Sequence, residues 1–364
     1  MIPVERVTAL RMARQGLTES VNAEDYAALF RDLQPGLNVY WNGFGDPPSL
    51  THRAAFNDME YNRVRQARRE LVKGRFGGGN LGWIVPEDWA LFAGLYRKPL
   101  RQVSARQQEI MHLIQNDGPM NIQVIKERTG LLVKEITPVL HRLQEAFWVY
   151  EDQHDGEWDR GWTRFADMWP DVDPEEYTRH QALLRVLPRF AARMVVVDAA
   201  MARDFYKLPL KEVAPALHAL EQDGILRQLD PAALDGPPTV MGAATPPGHG
   251  PWYALHDDAH VLATGDVPPP APSVWAMHRN DVLVKAHAPA LAAAFPHAYP
   301  DTLYYLLIDG IFQGAVAGKF RYTPEVEDVL LTLSPSQAAA RRADILRAIH
   351  DLCGQAPRRY QGEV

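Results

Sequence analysis

The sequence has little cysteine and no long apolar segment. Cys353 is the only cysteine in 364 residues, which excludes a disulfide framework and a cysteine-based zinc site. No apolar run is long enough to cross a bilayer, and the first residues show no signal-peptide pattern. We therefore expect a cytoplasmic protein that does not associate with membranes.

Several motifs of familiar enzymes are also missing. The glycines at 74–82 include no Lys-Ser/Thr pair and follow a predicted helix, which excludes a P-loop and a dinucleotide-binding fingerprint. No Gly-x-Ser-x-Gly segment is present. His256 and His260 have the spacing of a zinc-protease motif, but Asp257 stands where the general-base Glu belongs. We expect a loop or strand with incidental histidines there, no metal site, and no other cofactor.

The composition is that of a globular protein without an excess of basic charge. The chain is 46% apolar and 23% charged, with a net charge of −7. Any binding to phosphate must therefore come from a local basic face. This length predicts two to four domains. Many of the 29 prolines cluster within 231–272, which indicates a linker or a meandering connection.

One eleven-residue string occurs twice. Residues 134–144 read KEITPVLHRLQ and residues 211–221 read KEVAPALHALE, 77 residues further on. Self-similarity at a fixed offset is typical of stacked supersecondary units. The offset matches a small helical DNA-binding module, and the shared Pro138 and Pro215 indicate a shared helix start.

Three consecutive modules follow from the hydrophobic pattern. In the middle one, helices over 105–115, 122–128 and from 133 onward precede an alternating segment, FWVYED, which predicts a hairpin. Three helices and a hairpin form the winged-helix arrangement. In the third module, 190–206 supplies the earlier helices and 224–229 a strand. In the first, helices over 4–17, 23–33 and 56–72 precede a hairpin with Gly77 to Gly79 at its tip.

The predicted fold class is α+β, mainly α, with tandem winged helix-turn-helix modules before a β-rich C-terminal domain. That domain contains Asp309-Gly310 between apolar runs, a hairpin signal, and a closing helix over 336–353. The boundaries place the three winged helices at 1–100, 101–155 and 156–235, a Pro/Gly-rich connection at 236–275, and the C-terminal α+β domain at 276–364.

The third predicted helix of the first module carries the most basic face. On a helix, three- and four-residue spacings put Arg65, Arg68, Arg69 and Lys73 on one side, flanked by Arg63 and Arg75. The planar guanidinium of arginine carries paired N–H donors that bind phosphate oxygens well. The alternative is a solvated helix face with intrahelical ion pairs.

Other candidate DNA contacts are fewer. The first repeated helix exposes Lys134, His141 and Arg142, whereas the second is poor in donors and is expected to serve for packing or spacing. The two histidines of the repeat, His141 and His218, are most simply helix-surface residues. Lys319 and Arg321 alternate along a predicted strand and either line a nucleic-acid groove or face water.

The sequence resembles the AlkZ/YcaQ-type winged-helix DNA-binding family. The segments that carry the resemblance are ALRMARQGL (9–17), GGNLGWIVPEDWALF (78–92), the middle module and LIDGIFQGAVAGKFRYTPEVEDV (307–329). The resemblance covers nearly the whole chain and implies a C-shaped clamp of three winged helices and a β-rich domain around duplex DNA. Characterised members are monofunctional glycosylases that excise alkylated or cross-linked bases without metal.

The catalytic motif of that family, Gln-x-Gln or Gln-x-Asp, is matched only in part. The corresponding segment is Gln34-Pro35-Gly36, so the first polar residue is present and the second is absent. Asp32, Asn38 or Asp46 are neighbouring groups that could orient or deprotonate a water. Gln34 as a helix-end residue without a chemical role is the alternative.

An aromatic pair follows this segment. Tyr40 and Trp41 could stack on an unpaired base or could pack into the core of the first module.

Two hypotheses follow from the sequence. The first is a DNA glycosylase, or a diverged relative, acting on damaged double-stranded DNA. The second is a non-catalytic DNA-binding or regulatory protein with the same fold. In either case we expect a monomer.

Overall fold

The computed structural model describes residues 1–37, 45–154, 160–238, 240–241, 250–265, 267–268, 271–296, 300–320 and 324–363. The described chain contains three units in which three helices precede a pair of antiparallel strands, followed by an antiparallel sheet. No helix in these ranges is both long and apolar enough to span a membrane.

The first unit has the elements that its pattern predicts. They are α1 (Val4–Arg14), α2 (Ala23–Asp32), α3 (Asp58–Ala67), β1 (Val72–Phe76), β2 (Asn80–Ile84) and then α4 (Trp89–Tyr96). Asn22 caps α2 by accepting from two backbone amides of its first turn. Gly77, Gly78 and Gly79 at the hairpin tip all have positive φ, a conformation that side chains disfavour.

The predicted third helix of this unit is too long. It was expected over 56–72, but α3 ends at Ala67, Arg69 has a φ of 57°, and Lys73 lies in β1. Arg65, Arg68, Arg69 and Lys73 therefore do not share a helix face, and the prediction of one arginine ridge is wrong. No glycine or proline marks the helix end, so the sequence pattern gives no local sign of it.

The second unit confirms the predicted succession of helices and strands. Its elements are α5 (Ala105–Asp117), α6 (Ile122–Thr129), α7 (Val133–Glu145), β3 (Val149–Asp152) and β4 (Gly161–Arg164). Gly130, with a φ of 69°, ends α6. Ile110, Ile125, Ile136 and Leu140 form a small apolar core within the unit. A one-turn helix, α8 (Phe165–Met168), follows.

The third unit departs from its predicted boundaries. It comprises α9 (Arg179–Met194), α10 (Ala199–Tyr206), α11 (Leu210–Gln222), β5 (Leu226–Leu229) and β6 (Trp252–Leu255), with β5 and β6 antiparallel. β6 and the next helix, α12 (His256–Thr264), lie in the stretch predicted to be a connection. The expectation of a loop or strand at the two histidines is therefore also wrong. Prolines flank this stretch, but none lies within 252–264, so strand and helix are both allowed there.

The repeated string occupies the same place in both units. Residues 134–144 lie within α7 and 211–221 within α11, and each helix has 13 residues with its proline sixth. The duplication predicted from the sequence is therefore confirmed as two equivalent third helices.

The C-terminal part is a four-stranded antiparallel sheet in the order β10-β9-β8-β7. Its elements are β7 (Val274–His278), α13 (Val282–Ala286), α14 (Ala288–Ala294), β8 (Asp301–Ile308), β9 (Ile311–Lys319), β10 (Glu325–Leu331) and α15 (Pro335–Cys353). Asp309 and Gly310 form the predicted turn between β8 and β9, both with positive φ. Ile345 and Ile349 of α15 pack on this sheet.

A buried ion pair joins the first unit to the C-terminal part. Arg53 has no exposed side-chain surface, and its guanidinium donates to Asp281 at 2.7 and 3.1 Å and to Gln15 at 3.1 Å. Residues 53 and 281 are 228 positions apart, so this contact fixes the two regions against each other.

Candidate nucleic-acid interface

Gln34 lies at the end of α2, next to hairpin β1–β2. Its side-chain carbonyl accepts a hydrogen bond from the Val85 amide at 3.0 Å, and its amide donates to Asp88. The residue is 2% exposed. Gln34 therefore contacts protein groups at both ends of its side chain and does not face open solvent.

Gly36 is held in the core beside it. Its amide and carbonyl both pair with Trp83 at 2.8 Å, which adds a third strand-like segment to the hairpin. A Cβ at this position would lie 2.8 Å from atoms of both Phe30 and Pro48. The place of the second polar residue in the family motif is therefore too crowded for a side chain without repacking.

Asp88 connects Gln34 to two arginines. Arg31 donates to it at 3.0 and 2.8 Å, and Arg189 donates at 2.7 and 3.4 Å. Burial would raise the pKa of Asp88, but the hydrogen bonds and charges of both arginines hold that pKa below its usual value. The carboxylate is buried, whereas 44% of the Arg31 side chain and 27% of the Arg189 side chain remain exposed. Two guanidinium groups thus reach the surface above a buried anion.

Asp32, the other catalytic candidate, is engaged in a similar way. Arg193 holds its carboxylate with Nε at 2.8 Å and Nη2 at 2.7 Å. The carboxylate therefore serves as the counter-ion of an arginine on α9.

These contacts define a basic stripe along α9. Arg185, Arg189 and Arg193 are spaced four residues apart and lie on one side of the helix. Arg185 is exposed and stacks over the ring of Tyr177 at 4.9 Å. We call these three residues, with Arg31, the α9 stripe. The sequence contains this spacing, but its pattern predicts helices only from residue 190 onward and so does not place the three arginines on one helix.

Two lysines lie near the segment that follows Gln34. Lys207, which is exposed, and the half-buried Lys285 line a small depression together with Pro35 and Leu37. Burial lowers the pKa of Lys285 to about 8, and the charge of Lys207 adds to this shift. Neither ammonium group has a carboxylate partner within the described residues. Neither lysine was predicted as a site residue.

The residues of the predicted ridge have separate environments. Arg65 is 7% exposed, and its guanidinium lies over the rings of Phe30 and Tyr61. Burial lowers the pKa of Lys73 to about 8 despite its ion pair with Glu151 at 3.2 Å. These two cations are turned inward, so the structure contradicts their assignment to a DNA-facing surface.

The other cations of that set are at least partly exposed. Arg69 is paired with Asp152 at 2.7 Å, and Arg63 lies 3.4 Å from Asp46. Arg68 has 69% of its side chain exposed. Arg75 lines a cavity between the first two units.

The surface of α7 matches its prediction in part. Lys134 is exposed, but Arg142 donates to the backbone carbonyls of Lys98 at 2.8 Å and Pro99 at 2.9 Å. His141 lines the same cavity as Arg75, and burial lowers its pKa to about 4. His141 and Arg142 therefore face the first unit and the link to it, which corrects their assignment to an open helix surface.

Of the remaining predicted residues, the structure describes only Lys319. Lys319 is exposed at the end of β9. Arg321, Tyr40, Trp41 and Asn38 lie outside the described residues. Across the described ranges, no group of three or more His, Cys, Asp or Glu is arranged to hold a metal ion.

The histidine motif at 256–260 has a structural explanation. Asp258 in α12 accepts from Arg14 of α1 at 2.9 Å, and burial raises its pKa. The motif therefore contributes to packing between α1 and α12.

Comparison with solved structures shows that the chain shares its fold with a DNA glycosylase. The structure of Streptomyces sahachiroi DNA glycosylase AlkZ is similar over 98% of this chain and 98% of that chain, with a TM-score of 0.64 and 15% sequence identity. The likeness supports the resemblance to AlkZ and confirms a mixed fold of helices and strands with a C-terminal antiparallel sheet. No protein-family model and no curated protein sequence matches the chain.

Proposed function

We propose that this protein binds double-stranded DNA, and that its three helical units act as winged helices in a C-shaped clamp. The observation that carries this proposal is the similarity to a DNA glycosylase over the whole length of both chains. A fold alone does not determine a function, so the proposal also needs a surface with suitable chemistry.

The α9 stripe is the surface we assign to the DNA backbone. The buried Asp88 orients Arg31 and Arg189, the partly exposed Asp32 orients Arg193, and Arg185 is exposed over the Tyr177 ring. Guanidinium groups that are already oriented in this way are well placed to donate to phosphate oxygens. Lys207 and Lys285 add positive charge at a depression lined by Pro35, the residue after Gln34. Arg63, Arg68, Lys134 and Lys319 remain proposed peripheral contacts.

DNA binding is tested by fluorescence anisotropy with a labelled duplex over a range of salt concentrations. We expect log affinity to fall linearly with log salt, with a slope near −0.9 for each phosphate neutralised. Arg31→Gln and Arg185→Gln should each weaken binding and flatten the slope. The control is Arg347→Gln, an exposed arginine on α15, whose affinity should not change. A wild-type protein without salt-dependent affinity would refute the proposal.

We further propose that Gln34 positions Asp88 and the hairpin and does not orient a catalytic water. Its burial, its two protein contacts and the crowding at Gly36 support this role. Excision of a damaged base is the second candidate function, favoured by the glycosylase fold and by the presence of Gln34 at the family's first catalytic position.

The two candidates differ in their products. Incubation with a duplex that contains an N7-alkylated guanine, followed by detection of abasic sites, should show binding without excision. Excision that is lost in Gln34→Ala, but retained in a stably folded Arg347→Gln control, would replace the binding-only proposal by catalysis. Excision that persists in Gln34→Ala would assign the chemistry to another residue.

A further inference from the structure

Two lysines lie at a small depression whose lining is otherwise largely apolar. Lys285 belongs to α13, and Lys207 directly follows α10, which packs against that helix. Lys285 is half-buried, whereas Lys207 is exposed. The apolar part of the lining is formed by Pro35, Leu37, Phe76, Tyr96 and Phe205. The amine of Lys285 is therefore partly removed from water and lies near a second cation.

No carboxylate among the described residues holds Lys285 in its charged form. Burial and the charge of Lys207 both lower its pKa, to about 8. Residues 38–44, which follow Leu37 in the sequence, contain no Asp or Glu. At pH 7 about one tenth of the Lys285 amines are therefore neutral, roughly 300-fold more than at the usual lysine pKa of 10.5.

Lys73 shows that a lowered pKa alone does not make a reactive amine. Its pKa is also about 8, but its ammonium lies 3.2 Å from Glu151 and its side chain is 1% exposed. A carbonyl compound cannot reach it. Lys285 combines partial exposure with an apolar lining and a neighbouring cation, and these surroundings activate a lysine as a nucleophile towards carbonyl groups.

The size of the depression restricts what can react there. It has a volume of about 10 Å³, which is room for a single water-sized group. A nucleobase or a free sugar does not fit, but one carbonyl group at the surface of a larger molecule does. An abasic site in DNA presents such a group, because the open form of its deoxyribose carries an aldehyde at C1′ where the base was attached.

We propose that Lys285 forms an imine with the C1′ aldehyde of an abasic site in DNA. The reaction rests on the proposed binding of duplex DNA, which brings the aldehyde to the depression. The ε-amine attacks C1′, a water molecule leaves, and a protonated imine forms. Loss of the C2′ proton to water then expels the 3′ phosphate, so the C3′–O bond breaks and the strand is cut. Hydrolysis of the imine restores the lysine.

Reduction with sodium borohydride tests this reaction. The protein is incubated with a duplex that contains one abasic site and is then reduced, which converts an imine into a stable secondary amine. We expect a covalent protein–DNA complex in denaturing electrophoresis, and cleavage of the abasic strand in the unreduced sample. Lys285→Arg keeps the positive charge but has no amine that forms an imine. Both products should fall at least ten-fold in this variant, while the affinity for the duplex changes little.

Lys126→Arg is the matched control, because Lys126 is exposed on α6 and does not line the depression. It should form as much covalent complex as wild type. Equal trapping in wild type and a folded Lys285→Arg would overturn the proposal, and so would trapping that is lost only in Lys207→Arg. Binding of the abasic duplex without trapping would refute the imine alone, whereas a protein that binds no duplex would refute the proposed function as well.

A measurement on the unaltered protein keeps the test decisive if Lys285→Arg does not fold. Reductive methylation with formaldehyde and cyanoborohydride at pH 7 labels amines through an imine of the same kind. Peptide mapping then compares the rates at individual lysines. Lys285 should be labelled at least ten-fold faster than Lys126, although it is the less exposed of the two. A rate no higher than that of Lys126 would refute its role as a nucleophile.

Discussion

Asp88 and Glu151 are both buried carboxylates held between two cations, yet their surroundings differ. The partners of Asp88 are Arg31 and Arg189, whose side chains are 44% and 27% exposed. The partners of Glu151 are Lys73 and Arg160, which are 1% and 18% exposed. At Asp88 the cations are partly exposed at the surface, whereas at Glu151 Lys73 is buried and Arg160 lines the cavity between the first two units.

A carboxylate between two cations can therefore serve two different kinds of binding partner. Outward-facing arginines with a buried counter-ion can meet a polyanion as large as DNA, because no cavity limits the size of the partner. Inward-facing cations can be reached only by a molecule small enough to enter. Accessibility, rather than the number of charges, therefore distinguishes the two sites.

The largest effect is expected from Glu151→Ala. This change leaves Lys73 buried without its carboxylate, and breaking a buried pair from one side costs about 3–5 kcal/mol. Urea unfolding of wild type and variant measures the loss of unfolding free energy. Glu60→Ala, at an exposed position of the first unit, should change it by no more than about 0.5 kcal/mol. A loss below about 1 kcal/mol for Glu151→Ala would show that Lys73 is not held as a buried cation.

Asp88→Ala should have a smaller effect on the same measurement, about 2 kcal/mol. The Gln34 amide loses its acceptor, but Arg31 and Arg189 remain partly hydrated, which limits the cost. DNA affinity should fall as well, because both guanidinium groups lose their orientation. If Asp88→Ala destabilises the protein more than Glu151→Ala does, the contrast between an outward and an inward site is wrong.

Gly36→Ala should cost about 1–2 kcal/mol, since its Cβ would meet Phe30 and Pro48 at 2.8 Å. Gly36→Gln, which restores the polar residue of the family motif, should be less stable still and should not create excision activity. Chemical unfolding and the abasic-site assay measure these two outcomes. A stable Gly36→Gln variant with excision activity would show that the surroundings of Gly36 can repack around a polar side chain and support catalysis.

The smallest expected effect is a pH dependence at the cavity. His141 has a folded pKa of about 4 against a usual value of 6.5, so the unfolded chain binds more protons between these two values. Its contribution to stability is therefore complete above pH 6.5 and is lost as the pH falls towards 4. Because the residue is only half-buried, we expect about 0.5–1 kcal/mol between pH 7 and pH 5.

His141→Gln provides the comparison for this pH dependence. Wild type should lose more unfolding free energy than the variant between pH 7 and pH 5. His278, whose pKa is also lowered to about 4, titrates in both proteins and cancels in the difference. Identical pH profiles would place His141 in a solvated environment instead.

Much of the fold could be predicted from the sequence, because periodicity and turn residues are local signals. The two copies of the repeated string, the glycine tip of the first hairpin and the Asp309-Gly310 turn were all readable in this way. The β6 strand could not be predicted, because the prolines on both sides of it indicate a connection without regular structure.

The candidate site could not be predicted in the same way. Gln34, Asp88 and Arg189 come from three separate elements, and Asp88 is 54 positions from Gln34 and 101 from Arg189. No local pattern links such residues. The predicted length of α3 was wrong for a related reason. Arg69 adopts the positive φ that is usually found at a glycine after a helix end, but no glycine is present there.

The ion pair between Arg53 and Asp281 has a consequence for the order in which the protein is made. Synthesis proceeds from the amino end, so the first unit emerges long before its distant counter-ion has been translated. Until then a guanidinium that ends fully enclosed has no anion to neutralise it, and its surroundings stay open to water. A nascent chain stalled before residue 281 should accordingly keep a protease-sensitive amino-terminal unit, which becomes resistant only once the later part of the chain has docked.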